Sequence, residues 1–394
     1  MKSLVIAAVV ALPLAAAAQS LDGATLRQIP ARMREFVDRG EISGVVTLVA
    51  RHGQVAALDA AGFADIENRK PMRTDTIVQI MSQTKTVTGV AAMILVDEGR
   101  LSLTRPVQDY LPEFKGIQVA ETKPDGTVSV HPPQHPPAVW ELMCHIAGFA
   151  FLPEKGEFAR INYTLDHTLA EAVKAYASER LAAEPGTKHI YSNMGIATLG
   201  RIVEVISGRK YEDFVRARIL EPLGMKDTFY FPPDDKKGRI AMVYTPAGEG
   251  KLALAREKAQ GGDPALYRAG AKYAGPELAL FSTAEDLFRF YQMLANGGEF
   301  GGRRILSPQA VEAMRHDYTP DHRGYGLTMS VLEGARPLLS LVNPGTFGHG
   351  GAFGTNGAVD PKNGLVPVFL PQMVGGTAGL APALFQQLAE SAVR

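Results

Sequence analysis

QIMSQTKTVTGVAAMILVDEG, residues 79–99, places a serine and a lysine three positions apart where an apolar helical pattern begins. A spacing of three puts Ser82 and Lys85 on one face of a helix, about one turn apart. A serine in the first turn also feels the partial positive charge of the helix N-terminus. Gly99 ends the pattern. We therefore predict a helix that presents the two side chains together.

The Ser-x-x-Lys spacing alone is weak evidence for catalysis, because it occurs again at Ser207 and Lys210 in a charged stretch. A solvated lysine stays protonated near neutral pH, and we interpret the second pair as incidental. Lys85 instead belongs to an apolar helix, where burial lowers the pKa of an ammonium toward neutrality, as a lysine base requires. The G-x-S-x-G signature of another class of serine hydrolase is absent. Ser82 is therefore the candidate nucleophile.

Strand patterns lie at both ends of the chain and helical patterns in the middle. Residues 44–65 predict a β-hairpin that turns at His52-Gly53, and strand patterns return after residue 320. Residues 102–140 are predicted to form a loop, and helical patterns fill 140–225. A long surface excursion is predicted over 233–275, and Ser282 with Glu285 predicts a capping box at the next helix. We predict an α/β (α+β) fold in which an antiparallel sheet, built from both termini, is flanked by helices and joined to a mostly helical second domain. The predicted sheet domain comprises 19–105 and 275–394, and the helical domain with its long loops comprises 106–274.

The first residues and the overall composition restrict the location and partners of the protein. Residues 1–18 begin with a positive residue, Lys2, continue as an apolar run and end in small residues. This pattern predicts a cleavable signal peptide over 1–18 and a periplasmic or secreted protein. The remaining chain has no segment that is apolar for long enough to span a bilayer. The 394 residues carry a formal charge of zero, which favours neither nucleic acid nor an anionic membrane as a partner. Cys144 is the only cysteine, so no internal disulfide can form. The sequence gives no oligomeric state.

A second candidate element is Tyr191-Ser192-Asn193, just before a helical pattern. A tyrosine beside a buried lysine can act as a general acid or base. The asparagine amide can bind both that lysine and a substrate carbonyl. A packed tyrosine followed by an N-capping asparagine explains the same residues without catalysis.

A third candidate element is His349-Gly350-Gly351, on a predicted strand. Glycine weakens a strand unless another backbone or a ligand approaches closely. At an open strand edge the Ala352 N–H can serve as one oxyanion donor, with the Ser82 N–H as the other. A glycine-rich turn between hairpin strands is the alternative.

In this order, the three elements resemble those of the serine β-lactamase and penicillin-binding-protein superfamily, and most closely its class C-like branch. That branch includes family VIII carboxylesterases and D-amino-acid-specific peptidases. The matching residues are Ser82-Gln83-Thr84-Lys85, Tyr191-Ser192-Asn193 and His349-Gly350-Gly351, and supporting stretches run from about residue 30 to 390. The resemblance implies Ser82 as an acylated nucleophile, Lys85 and Tyr191 as a proton-transfer pair, and Asn193 as a positioning group. It also implies two-step hydrolysis without a metal or cofactor.

His349 departs from the family pattern, because β-lactamases and D,D-peptidases usually carry a lysine there. Neutral imidazole binds a substrate carboxylate poorly at pH 7, and Gly350 lacks the hydroxyl of the usual threonine. We therefore predict a serine hydrolase of small acyl esters, a carboxylesterase. β-Lactamase, D,D-carboxypeptidase or D-aminopeptidase activity on an amide substrate is the alternative, followed by a non-catalytic scaffold.

Overall fold

The strands of the protein come from both ends of the chain and from short pairs between them. The computed structural model describes residues 21–122, 125–153, 155–160, 165–255, 270–334, 340–374 and 378–394. The strands are β1 (Gly44–Arg51), β2 (Gln54–Asp65), β3 (Lys70–Pro71), β4 (Val78–Gln79), β5 (Val119–Thr122), β6 (Val128–His131), β7 (Tyr244–Pro246), β8 (Leu252–Leu254), β9 (Phe281–Ser282), β10 (Glu299–Phe300), β11 (Arg303–Arg304), β12 (Ser330–Val331), β13 (Phe347–Gly350), β14 (Asn356–Val359) and β15 (Leu365–Pro371).

The helices lie mainly between the two groups of long strands, and three lie at the chain ends. They are α1 (Gly23–Leu26), α2 (Gln28–Asp38), α3 (Thr84–Asp97), α4 (Val139–Met143), α5 (Leu169–Tyr176), α6 (Asn193–Ser207), α7 (Tyr211–Val215), α8 (Glu221–Leu223), α9 (Ala284–Ala295), α10 (Pro308–Met314) and α11 (Ala381–Ser391).

The main sheet has seven antiparallel strands in the order β12-β13-β14-β15-β1-β2-β3. Strands β1 and β15 pair at its centre, from Val45 opposite Pro371 to Arg51 opposite Leu365. The two ends of the chain therefore meet in the middle of one sheet. The predicted fold class, an antiparallel sheet built from both termini and flanked by helices, is confirmed.

Both faces of the sheet are covered, which explains why β1 and β15 are buried along their whole length. On one face the terminal helices α2 and α11 pack on Val45, Val49 and Phe369. On the opposite face Val46 and Leu48 belong to a larger core, and α9 packs there against β1, β14 and β15.

Helix α3 is buried on every side from Thr84 to Leu95, rather than along a single apolar stripe. It packs against α6, α7 and α10. Because the helix lies inside the large core, Lys85 has no contact with solvent. The helix ends as predicted, with Gly99 in the left-handed region at φ 68°.

Three local predictions need correction. The stretch 233–275 is not simply a surface excursion, because Tyr244 and Tyr273 are fully buried and β7 pairs with β8. The loop predicted over 102–140 contains the β5–β6 hairpin. The N-cap of α9 is Thr283, whose hydroxyl accepts the Asp286 N–H, while Ser282 lies in β9.

Two further predictions remain predictions. The signal peptide, 1–18, lies outside the described residues. The division into a sheet domain (19–105 and 275–394) and a helical domain (106–274) also stays a prediction. In the part of the chain that the structure describes, no helix has the length and apolarity needed to cross a bilayer.

Candidate active site

The turn that carries Ser82 is held in an unusual conformation. Met81–Gln83 form a single 3₁₀ turn ahead of α3, and Met81 has φ 51° although it is not glycine. A left-handed residue with a Cβ costs roughly 1–2 kcal/mol. Packing of the buried Met81 in the surrounding core offsets this conformational free energy. The result is a rigid turn that leaves Ser82 half-buried and Lys85 beneath it.

Lys85 brings together residues from three parts of the chain. Its Nζ lies 3.1 Å from Ser82 Oγ, 2.8 Å from Asn193 Oδ1 and 2.8 Å from the backbone oxygen of Glu277. A neutral amine has two N–H donors and one lone pair. Asn193 Oδ1 and the Glu277 carbonyl can only accept, so they take the two donors. Ser82 is then the partner that donates, and its proton points at the Lys85 lone pair.

The burial of Lys85 makes this neutral form accessible near neutral pH. Burial lowers its pKa to about 7, and the nearby Glu277 carboxylate acts in the opposite direction. Lys85 is fully buried in α3, as the apolar helical pattern around it indicates. An amine with this pKa can accept the Ser82 proton at neutral pH.

Tyr191 lies over the same amine. Lys85 Nζ is 4.8 Å from the centroid of the Tyr191 ring. Burial raises the pKa of Tyr191, while its interaction with the Ser82 hydroxyl acts to lower it. Tyr191 therefore keeps its phenolic proton near neutral pH and is a donor beside Ser82.

Asn193 reaches Lys85 from the first residue of α6. The helix is capped by Ser192, whose Oγ accepts the Gly195 N–H at 3.0 Å. The alternative interpretation of Asn193 as the N-cap is therefore wrong. Since Ser192 fulfils that function, the Asn193 amide is free of the helix end and its Oδ1 binds Lys85.

His349 is held at the end of a hydrogen-bond chain that starts on the backbone near Tyr191. The Ser192 N–H donates to His145 Nδ1 at 3.1 Å, which leaves the His145 proton on Nε2. That nitrogen lies 3.2 Å from the Tyr325 hydroxyl, and the Tyr325 hydroxyl lies 2.9 Å from His349 Nε2. His349 Nδ1 then donates to Gly350 O at 2.6 Å.

The direction of this chain keeps His349 uncharged. A hydroxyl that accepts from His145 donates its own proton onward, so Tyr325 donates to His349 Nε2. His349 then carries its one proton on Nδ1. Burial lowers its pKa to about 4, with a smaller contribution from Lys85. Both ring nitrogens of His349 are thus engaged within the protein.

The glycines after His349 have different spatial requirements. Strand β13 ends at Gly350, and Gly351 and Ala352 begin the connection to β14. A Cβ on Gly351 would collide with the Ile80 carbonyl, next to the turn of Ser82. A Cβ on Gly350 would meet its nearest atom, Thr355 O, at 3.6 Å. Position 351 therefore requires glycine, while position 350 has room for a side chain. His349 and Gly350 belong to a strand, and Gly351 belongs to the turn that follows it.

Sequence reasoning missed three residues of this site, Glu277, His145 and Tyr325. Glu277 could have been recognised from the sequence, because it is the one carboxylate in the otherwise apolar stretch AGPELALFS, residues 274–282. His145 is buried, and its hydrogen bonds follow from tertiary contacts alone. The neighbouring Cys144 is buried, and burial raises the pKa of its thiol well above the usual range, which makes it a poor nucleophile.

The second Ser-x-x-Lys pair lies at the surface. Ser207 ends α6, Gly208 follows with φ 67°, and Lys210 is exposed. The Ser207 hydroxyl contacts backbone oxygens of Glu204 and Arg209. This environment gives Lys210 no burial, in contrast to Lys85.

Comparison with known proteins shows which family the chain resembles. Residues 29–388 match the model of the Beta-lactamase family. The chain is 28% identical to the esterase EstB of Burkholderia gladioli over 384 residues, covering 89% of this chain and 91% of EstB. It is 30% identical to penicillin-binding protein 4 of Amycolatopsis lactamdurans over 328 residues, covering 80% of this chain and 76% of that protein. Among solved structures, EstCE1, a hydrolase with promiscuous acyltransferase activity, superposes with a TM-score of 0.79 at 25% identity, covering 93% of this chain and 99% of EstCE1. The protein belongs to the beta-lactamase family.

Proposed function

We propose that the protein is a serine hydrolase that forms an acyl ester on Ser82 and acts on small, uncharged acyl esters. The observation that carries the proposal is the 3.1 Å contact between Lys85 Nζ and Ser82 Oγ. Because the other two hydrogen-bond partners of Lys85 are carbonyl oxygens, its lone pair has the Ser82 hydroxyl as its donor.

The proposed reaction has two steps, acylation of Ser82 and hydrolysis of the resulting acyl ester. Ser82 Oγ attacks the ester carbonyl carbon while its proton moves to Lys85 Nζ. The tetrahedral intermediate then breaks the bond to the leaving alkoxide, which takes its proton from the Tyr191 hydroxyl, and Lys85 returns a proton to Tyr191. Water cleaves the acyl ester by the reverse route. The amide N–H groups of Ser82 and Ala352 are the proposed donors to the oxyanion.

The preference for uncharged esters rests on His349. Its Nε2 accepts from Tyr325 and its Nδ1 donates to Gly350 O, so its imidazole offers neither a charge nor a free donor to a substrate carboxylate. An ester of an uncharged acid needs no such group. One relative, EstB, is named as an esterase.

A second candidate function, hydrolysis of a carboxylate-bearing lactam or D-peptide, has one observation in its favour. Arg323 lines a cavity of about 360 Å³ together with His349 and Asn356. A guanidinium can bind a carboxylate in a bidentate manner. Asp321 already accepts from Arg323 Nε at 2.6 Å, which reduces the charge that Arg323 offers and favours the ester proposal.

A substrate panel separates the two candidates. The purified protein is assayed with a short-chain p-nitrophenyl ester, nitrocefin and D-alanyl p-nitroanilide, and Arg323→Gln is assayed beside it. We expect the largest kcat/KM for the ester and no effect of Arg323→Gln on it. A larger kcat/KM for nitrocefin or the D-amide, lost in Arg323→Gln, would favour the second candidate. A folded protein inert toward all three would support a scaffold.

We also propose that the protein is exported and cleaved after Ala18, on the basis of the pattern in residues 1–18. N-terminal sequencing of the protein recovered from the periplasm or medium tests this. A mature chain that retains residues 1–18 would contradict it.

A further inference from the structure

Glu277 is a fully buried carboxylic acid directly behind the candidate active site. Two adjacent backbone carbonyls of its segment accept hydrogen bonds from side chains of α3. Pro276 O accepts from the Thr88 hydroxyl, and Glu277 O accepts from Lys85 Nζ at 2.8 Å. The backbone of Glu277 is therefore fixed against the lysine, which places its buried side chain in the core beside the site.

The carboxyl group of Glu277 has few partners of its own. The Tyr273 hydroxyl lies 3.0 Å from Oε1 and 3.2 Å from Oε2. Since one phenol donates one proton, this is a single hydrogen bond shared between two oxygens. Tyr273 is itself buried and hydrogen-bonded to Tyr176. One phenol does not replace the solvation that a carboxylate loses on burial.

The compensating charge is Lys85. Among the described residues, Lys85 is the cation whose field favours ionised Glu277, and Glu277 is the anion whose field favours protonated Lys85. The two groups are fully buried within one core. Whether the pair is charged or neutral, removing one partner leaves the other without its counterpart.

We propose that Glu277 is a positioning residue that sets the proton occupancy of Lys85, through its buried charge and its backbone contact to the amine. Its ionised form favours the lysine ammonium, and its protonated form favours the free amine that accepts the Ser82 proton. This inference rests on the proposed function of Lys85 as the base.

The remaining titratable groups around the pair do not supply a competing charge. Those that face it from the packed elements are phenols and imidazoles: Tyr176, Tyr273, Tyr211, Tyr230 and Tyr191 around Glu277, and His145 and His349 around Lys85. Burial raises the pKa of each of these tyrosines and lowers the pKa of both histidines. They are therefore neutral over the pH range in which Lys85 titrates.

The test is the pH dependence of Ser82 labelling by a fluorophosphonate in the wild type and in Glu277→Gln. Glutamine still accepts from Tyr273 but carries no charge, so Lys85 loses the field that favours its ammonium. We expect the acid limb of the labelling rate to move about one pH unit lower, which makes the variant about tenfold faster than the wild type at pH 5. A side chain with only a structural role would lower the rate at every pH and leave the limb unmoved.

Two further variants complete the experiment. Glu390→Gln removes another buried carboxyl, on α11, whose pKa burial raises to about 7, and we expect its profile to match the wild type. If Glu277→Gln does not fold, Tyr273→Phe removes the donor to the carboxylate and is expected to shift the limb in the same direction by a smaller amount.

The outcomes separate this inference from the proposed function. A wild type that is labelled with an acid limb, beside a folded Glu277→Gln or Tyr273→Phe with the same limb, would overturn the inference alone. A wild type that is not labelled at any pH would overturn both.

Discussion

Lys85 Nζ donates a hydrogen bond to Asn193 Oδ1 over 2.8 Å, which joins two residues 108 positions apart in the chain. The contact uses one of the two donors of the neutral amine. The Glu277 carbonyl uses the other, and the lone pair is left facing Ser82. The orientation of the proposed base thus depends on a residue of α6 as much as on the Ser-x-x-Lys spacing.

Replacement of Asn193 tests this orientation. Asn193→Ala leaves one buried Lys85 donor without a partner, and we expect kcat/KM for a p-nitrophenyl ester to fall about 10- to 100-fold. Asn193→Asp places a carboxylate beside the amine, which favours the ammonium and raises the Lys85 pKa. The acid limb of the pH profile should then move to higher pH. Equal pH profiles for the wild type and Asn193→Asp would contradict a contact between residue 193 and the base.

The wild-type pH profile tests the charge state of Lys85. Protonated Lys85 has no lone pair for the Ser82 proton, so activity should fall as the pH drops through the Lys85 pKa, near 7. The raised pKa of Tyr191 keeps the phenol protonated, and we expect no alkaline limb below about pH 9. Stopped-flow acylation rates between pH 5 and 9 measure this.

A Lys85 variant provides the control for that profile. Lys85→Ala should lower kcat/KM by a factor of about 10²–10⁴ and abolish the acid limb. A limb near pH 7 that persists in the residual activity of Lys85→Ala would assign the titration to another group.

His349 is expected to control which acyl donors are accepted. The double variant His349→Lys, Gly350→Thr introduces an ammonium and a hydroxyl, and position 350 has room for a side chain. We expect the ratio of kcat/KM for nitrocefin to that for the ester to rise at least about tenfold, because one charged hydrogen bond contributes about 1.5–3 kcal/mol. Tyr325→Phe removes the donor to His349 Nε2 without adding charge and serves as the matched control. An unchanged ratio in the folded double variant would contradict the specificity argument.

The sequence predicts those parts of the site that depend on local spacing. Ser82 and Lys85 are one helical turn apart, and the apolar pattern after them indicates burial of the lysine. Tyr191 and Asn193 are recognisable because they lie at the start of a helical pattern, and Asn193 is the first residue of α6. Their placement around Lys85 is a tertiary contact that spacing alone does not give.

The residues that the sequence does not predict act across long separations. Tyr325 lies 180 residues from His145 in the chain and 3.2 Å from it in space. Glu277 lies 192 residues from Lys85. Neither pair follows a helical or strand period, so no local pattern connects its members. The same holds for the Asn193 amide, which is available to Lys85 only because Ser192 caps the helix instead.

Intact-protein mass spectrometry after exposure to a fluorophosphonate tests the central claim, that Ser82 is the acylated nucleophile. We predict one adduct per chain on the wild type and on Ser207→Ala, the matched variant of the surface Ser-x-x-Lys pair, with peptide mapping to residue 82. Ser82→Ala should carry no adduct and should lose ester turnover. An adduct that persists in folded Ser82→Ala, or a folded wild type that forms none, would contradict the claim.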